Sequence, residues 1–342
     1  MEQQRQLLCD DVFCGAMRWM DGETLAIAGC VSSSFHRESR NEQLWEDLCA
    51  GKWPSVSCAR PLIQQLGGFH RLYSECSRLV SPDGSPPPTK AAVFSPQASD
   101  FASLVDVQFQ GKTLFSRFVD GIPGTGTELT TEWFSSCPFR VDLIQESSCL
   151  PQQDRGGRME EDTLSSSSSS STEMGKLWKE ISEGMKLSWI LIDKGSKQAA
   201  NLSSWRPVLG QRHWPTDMDF ILRYGSILSQ CLPKPVECSI ILKCRLLRSS
   251  GSSIEIKLTE LSMQLKDVGS GEHLNGRDGL PVLCQAVSFA KCRDEERVLR
   301  THRELLKRQN ELKVHELKHE WCLDVYVLVL VLAALALLLW TV

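Results

Sequence analysis

An α+β fold is predicted for this chain by three features of its sequence. Short helix-period segments run to residue 80, period-two apolar patterns fill 91–292, and no Gly or Pro occurs from Val282 onward. In order they give a small helical module and an antiparallel β-sandwich-like middle domain with a disordered Ser-rich insertion. A C-terminal stalk helix and a single transmembrane helix follow. The expected boundaries are 1–50 for the helical module, 51–80 for a helical extension and 81–90 for a Pro-rich linker. The β-rich domain then covers 91–292 with the Ser-rich loop at 152–175, the stalk 293–320 and the transmembrane tail 321–342.

In the first segment, Leu8, Val12, Phe13, Met17 and Met20 suit one apolar helix face, and Asp21-Gly22 breaks it. Leu25 and Ile27 open the next helix, and Phe35, Leu44, Trp45 and Leu48 supply larger apolar bodies. Fifty residues of this kind are too small and too apolar to close a core alone, so the segment reads as a docking module. Pro86-Pro87-Pro88 holds the following linker extended.

Beyond the linker, Val105, Val107 and Phe109 alternate, Gln110-Gly111 turns, and Leu114 to Val119 returns as a hairpin. Phe139, Val141 and Leu143 make a further strand. Glu160-Glu161-Asp162 and the serines Ser165 to Ser171 follow, a composition that cannot bury enough apolar surface to order itself. Strands resume at Leu187, Trp189, Leu191 and at Phe220, Leu222, Tyr224, and Val236 through Leu246 place every second residue on one face. Ile254, Ile256 and Leu258 share a face, whereas Leu261, Met263 and Leu265 change parity, as a β-bulge would cause. About eight strands with short turns suit one antiparallel sandwich.

Arg293 to Glu320 is a charged helix with Val298, Leu305 and Leu312 at heptad spacing. Val325 to Val342 carries no charge, and with Trp321 to Leu323 it approaches the ~20 residues that span a hydrocarbon core. Arg303, Lys307, Arg308, Lys313 and Lys318 before it put the preceding domains in the cytosol by the positive-inside bias, which makes the end of the chain a tail anchor. On that topology Asn201-Leu202-Ser203, a formal glycosylation acceptor, never meets the lumen.

Composition excludes several functions. The 342 residues have room for roughly two domains. Lys+Arg number 38 against 42 Asp+Glu, which leaves no basic surplus for nucleic acid. The 14 cysteines show no CxxC pairing and read as small buried hydrophobes in a reducing compartment. No catalytic constellation is present. Gly121 to Gly126 lacks the Lys-Ser/Thr that a phosphate loop requires, and His315 with His319 has no third metal ligand nearby. No cofactor or metal is implied. The segment with Trp205, Arg206, Arg212, His213 and Trp214 joins the residue types that dominate binding hot spots, and is the candidate substrate-binding stretch.

The N-terminal residues resemble an F-box. Leu8 stands at the start, Asp11, Val12 and Phe13 follow, and Met20 to Leu25 resembles the Leu-x-x-x-x-Leu segment. Cys30-Val31 leads to Phe35, and Leu44-Trp45-Glu46-Asp47-Leu48-Cys49 matches the motif's ending, while Cys9 replaces the usual Pro and Ser32 a frequent Cys. Ser136 to Leu143, Leu187 to Asp193 and Ala200 to Val208 are similar to segments of a plant F-box group. The resemblance implies a non-catalytic substrate receptor of an SCF-type ubiquitin ligase, bound to a Skp-type adaptor and through it to cullin and RING subunits. It places adaptor binding on Leu8, Val12, Phe13, Met20, Leu25, Val31, Phe35, Leu44, Trp45 and Leu48. The protein substrate is unspecified, and the tail would confine it to a membrane. Two alternatives remain open: a tail-anchored ligand- or carbohydrate-binding sandwich using Trp189, Trp205 and Trp214, and a tether with no ubiquitin-ligase role.

Overall fold

The computed structural model describes residues 15–83, 96–123, 134–145, 168–212, 219–228, 234–248 and 254–340, and in the last helix the described side chains end at Leu328. Three short helices come first: α1 (Gly22–Ala28), α2 (Ser33–Ser39) and α3 (Glu42–Lys52). Each opens on a side-chain cap, since Asp21, Ser32 and Asn41 accept from the backbone N–H of Thr24, Phe35 and Gln43. A 3-10 turn (Pro54–Ala59), α4 (Arg60–Gln65) and α5 (Phe69–Cys76) complete the helical layer.

Two sheets follow. The first has six strands in the order β11-β1-β6-β5-β2-β3, from β1 (Leu79–Val80), β2 (Phe101–Phe109), β3 (Lys112–Asp120), β5 (Met185–Asp193), β6 (Gln198–Asn201) and β11 (Lys291–Cys292). The second has five in the order β4-β10-β9-β8-β7, from β4 (Arg140–Gln145), β7 (Leu209–Arg212), β8 (Asp219–Leu228), β9 (Val236–Arg248) and β10 (Ile254–Asp267). All ladders are antiparallel except the parallel bridge of Leu79 to Asn201.

Local sequence explains the pairings. Gln110 and Gly111 both take positive φ (50° and 80°), the geometry of the two-residue hairpin turn whose twist matches its strands. Val236, Cys238, Ile240, Leu242, Cys244 and Leu246 all point into the core. The β10 register against β9 shifts between Leu258 and Glu260, which is the bulge that the change of parity predicts.

The first sheet is buried on both faces. On one, Val105, Val107, Leu187, Trp189 and Leu191 meet Phe220, Leu222, Ile240 and Leu242 of the second sheet. On the other, Ala102, Leu104, Ile190 and Ile192 meet Leu25, Trp45, Trp53, Phe69 and Leu72 of the helical layer. The helices therefore share a core with the sheet that follows them. Polar bonds cross the same seam. Trp53 Nε1 donates to Ser188 Oγ at 3.0 Å. Buried Asp106 accepts from Ser55 N (3.0 Å), Ser55 Oγ (2.6 Å) and Ser116 Oγ (2.7 Å). Burial pushes the Asp106 carboxyl above its ordinary range although those donors pull it down. Asp106→Ala strands the Ser55 N–H, and urea unfolding is expected to show a loss of about 1–3 kcal/mol.

Three helices join the sheets. Ser168 to Gly184 forms α6, so the Ser-rich stretch expected as a loop over 152–175 becomes helical from Ser168, and 152–167 lies outside the described residues. What seats this helix is apolar: Ile181 is fully buried, and Trp178 stacks on Phe220 at 5.2 Å with the rings 9° from parallel. α7 (Gly276–Ala286) lies within the span expected to be β-rich and buries Val282, Leu283 and Ala286.

The last helix, α8 (Glu295–Trp340), docks its first turns on β1 and β8 through Val298, Leu299 and His302. Here the structure corrects the sequence. Among the described residues no helix is long and apolar enough to cross a membrane. Charged and apolar stretches form one continuous helix, Glu295–Trp340. The single transmembrane helix and tail anchor expected over 321–342 are overturned, and with them the membrane localisation and the cytosolic placement deduced from it. The side chains of 329–340, and Thr341 and Val342, lie outside the described residues.

Candidate functional site

Three arrangements have the chemistry of a binding protein. The first is the outer surface of the helical layer. Leu25 on α1 and Leu44 and Trp45 on α3 face inward, where Trp45 Nε1 donates to Ser39 O at 2.6 Å and its ring lies 4.6 Å from His70 and 5.3 Å from Tyr73. Met20, Phe35 and Leu48 are half-buried, and Leu8, Val12 and Phe13 lie outside the described residues. Outward stand Trp19 (92% exposed), Ile27 (68%) and Val31 (71%). Helical geometry sets the division, because Ile27 lies two residues after Leu25 and so projects from the opposite side of α1. The α1 cap is firm, since the Thr24 backbone N–H holds the Asp21 carboxyl below its usual value. Ser32, where the motif often has Cys, is the cap of α2 at 3.2 Å from Phe35 N.

The second arrangement lies where α3 meets the candidate substrate-binding stretch. Lys52 Nζ sits 3.8 Å from the Trp205 ring centroid and 5.2 Å from those of Trp53 and Tyr73. Burial draws the Lys52 ammonium down to about 8, and the ring faces supply the attraction that keeps a cation there. Trp205 itself has φ +63°, uncommon for a bulky residue, and a buried indole N–H without a hydrogen-bond partner among the described residues. Its neighbour Arg206 pairs with Glu295 at 3.3 Å. Burial raises the Glu295 carboxyl above its ordinary value, with the Arg206 charge opposing. Trp205 and Arg206 are thus held by the helical layer and by α8, while Arg212 stands exposed at the end of β7. His213 and Trp214 lie outside the described residues. Sequence reasoning missed Lys52, because two of its three cage rings, Tyr73 and Trp205, come from elsewhere in the chain.

The third is a groove of about 310 Å³ between β7 and α8, lined by Val208, Leu209, Gln211, Arg303, Leu306 and Lys307 among others. The Arg303–Lys307 spacing places both on one face of α8, but only the fold brings β7 beside them.

The thiols of the second sheet are set as core side chains. Cys238 and Cys244 are buried thiols, the latter raised by burial to about 12, and neither is poised to attack. Asn201 is fully buried, its Oδ1 accepting from Trp189 N at 3.2 Å and Ser203 N at 3.1 Å, a setting closed to glycan attachment. Among the described residues no three His, Cys, Asp or Glu side chains gather as a metal site.

No family model matches the chain, and no solved structure matches it. Its similarity is to plant proteins. It is 28% identical over 312 residues to the probable F-box protein At2g36090 of Arabidopsis thaliana, covering 90% of this chain and 83% of the relative. It is 27% identical over 293 residues to the F-box protein At2g27310 of the same plant, covering 81% of this chain and 77% of the relative. A shorter match, 37% identical over 73 residues, covers 20% of this chain and 46% of the F-box protein SNE of Arabidopsis thaliana. Similarity that extends over both the helical layer and the sheets supports a plant F-box protein.

Proposed function

We propose that this chain is the substrate-recognition subunit of an SCF-type ubiquitin ligase. Its helical layer docks a Skp-type adaptor, which links it to cullin and RING subunits, and its β domain holds the target. The observation that carries this reading is the exposed trio Trp19, Ile27 and Val31 on the segment that resembles an F-box. Large exposed apolar side chains on one short segment are the kind of surface that a partner covers. The chain itself does no chemistry; it raises the effective concentration of a target lysine beside the charged ubiquitin carrier. Leu25, Leu44 and Trp45 act in this scheme from inside, by holding α1 to α3 in the shape the adaptor meets.

The test is retention of a plant Skp-type adaptor by the full chain. The triple change Trp19→Asp, Ile27→Asp, Val31→Asp is expected to abolish retention while the circular dichroism spectrum stays that of the parent. Undiminished retention by a folded triple variant refutes the docking surface. Leu25→Asp is a poor substitute, since it charges a fully buried position and unfolds the layer.

A further inference from the structure

We infer that the groove between β7 and α8 binds an acidic extended peptide, which adds as a strand to the free edge of β7; this rests on the reading of the chain as a substrate receptor and names the class of target segment. β7 ends the second sheet, so its outer edge pairs with no described strand. Such an edge presents a row of backbone donors and acceptors that an extended chain can satisfy. The two sides of β7 differ. At Gly210 an added Cβ would stand 2.3 Å from the Trp178 ring, so α6 closes that face, and Leu209 and Gln211 project on the other, toward α8.

The charge of the open side selects the occupant. Among the described residues no acidic side chain lines the groove. Arg223 at its base is neutralised by Glu237 at 2.7 Å, but Arg303 has only the Val208 carbonyl, at 3.2 Å, among described partners. Lys307 is 78% exposed and 4.0 Å from Glu311, a separation at which an exposed pair holds little. Glu183 and Glu296 border an adjoining depression on the Trp178 side, which shares Val208 and Arg303 with the groove but not Lys307. Side chains of an added strand alternate between its two faces, so a peptide of alternating acidic and apolar residues turns every carboxylate toward Arg303 and Lys307 and every apolar side chain toward the side where Trp178 lies. A nucleic acid offers the same charge but no backbone to pair with a strand edge, so the peptide is favoured.

Binding of a fluorescein-labelled peptide of alternating Glu and Val to the full chain, read by fluorescence anisotropy, decides the matter. The parent is expected to bind it saturably and the Lys-Val counterpart roughly tenfold more weakly or not at all. Lys307→Glu, at an exposed position that folding tolerates, and Arg303→Gln are each expected to weaken binding several-fold. Equal binding by the parent and both variants overturns the inference, as does a single-stranded oligonucleotide that competes as well as unlabelled peptide, because that reports only a diffuse positive field. Adaptor retention is measured on the same preparations. Adaptor retained with no peptide bound overturns the groove alone, whereas peptide bound with the adaptor lost supports the groove and overturns the ligase reading.

Discussion

Trp53→Ala is expected to lower the unfolding free energy by about 3–5 kcal/mol, the range for removing a fully buried large aromatic. Trp53 has no exposed surface and stands where the helical layer meets the first sheet. Its indole N–H reaches Ser188 at 3.0 Å, and its ring lies 5.9 Å from Tyr73 and 6.5 Å edge-on from Trp205. The substitution leaves a cavity, deprives the Ser188 hydroxyl of its donor and removes one wall around Lys52. Trp53→Phe keeps most of the packing and is expected to lose less. Denaturant unfolding followed by both far-ultraviolet dichroism and tryptophan fluorescence checks this. The two probes are expected to move together, since the helices and sheet share one core; a loss below ~1 kcal/mol, or a separate early transition of the helices, contradicts the assignment.

Glu237→Ala is expected to cost a similar amount, about 3–5 kcal/mol, because it breaks a buried charge cluster by removing its centre. Glu237 is fully buried on β9, with Arg223 of β8 donating at 2.7 and 2.8 Å and His302 Nε2 of α8 at 2.9 Å. These bonds pin the last helix to the outer face of the second sheet. Burial pushes the Glu237 carboxyl up, but the His302 hydrogen bond and the Arg223 charge together outweigh it and hold the group below its ordinary value. The sign follows. A carboxyl depressed in the folded state contributes stability that is fully present above its unfolded value and is lost as pH falls through the folded one. The parent is therefore expected to lose stability below about pH 4, and Glu237→Gln to show a flatter acid limb over that window. Thermal melts across an acid series measure both, and identical acid limbs would remove Glu237 from the account.

Much of the sheet structure was legible because strand patterns repeat over long stretches. The alternation from Val236 to Leu246 and the parity change after Leu258 are properties of one strand and its neighbour, so they survive without tertiary information. α7 was hidden because Gly276, Gly279 and Pro281 punctuate it, and its stability comes from Val282 and Leu283 packed in the core. Those glycines are there for close packing: a Cβ at Gly279 would come within 2.9 Å of Phe139. The division of the first helices into inner and outer residues was not legible either. A seven-residue helix such as α1 offers apolar groups on both sides, and which one is covered depends on Phe69, Leu72 and Tyr73, which arrive some fifty residues later. The C-terminal end shows the opposite failure, where hydropathy alone suggested a span that the described helix does not make.

Packing on both faces of β2 and β5 has a consequence for geometry. The helical layer that carries Trp19, Ile27 and Val31 packs on one face of the first sheet and the second sheet, which carries β7, packs on the other, so neither can swing without unpacking buried side chains of the first sheet. On the proposed receptor reading, a target seated in that groove is held at one bearing relative to the adaptor. On that reading, which of its lysines comes within range of ubiquitin depends on how the first sheet is packed, so a change deep in that sheet redirects modification without loosening the target.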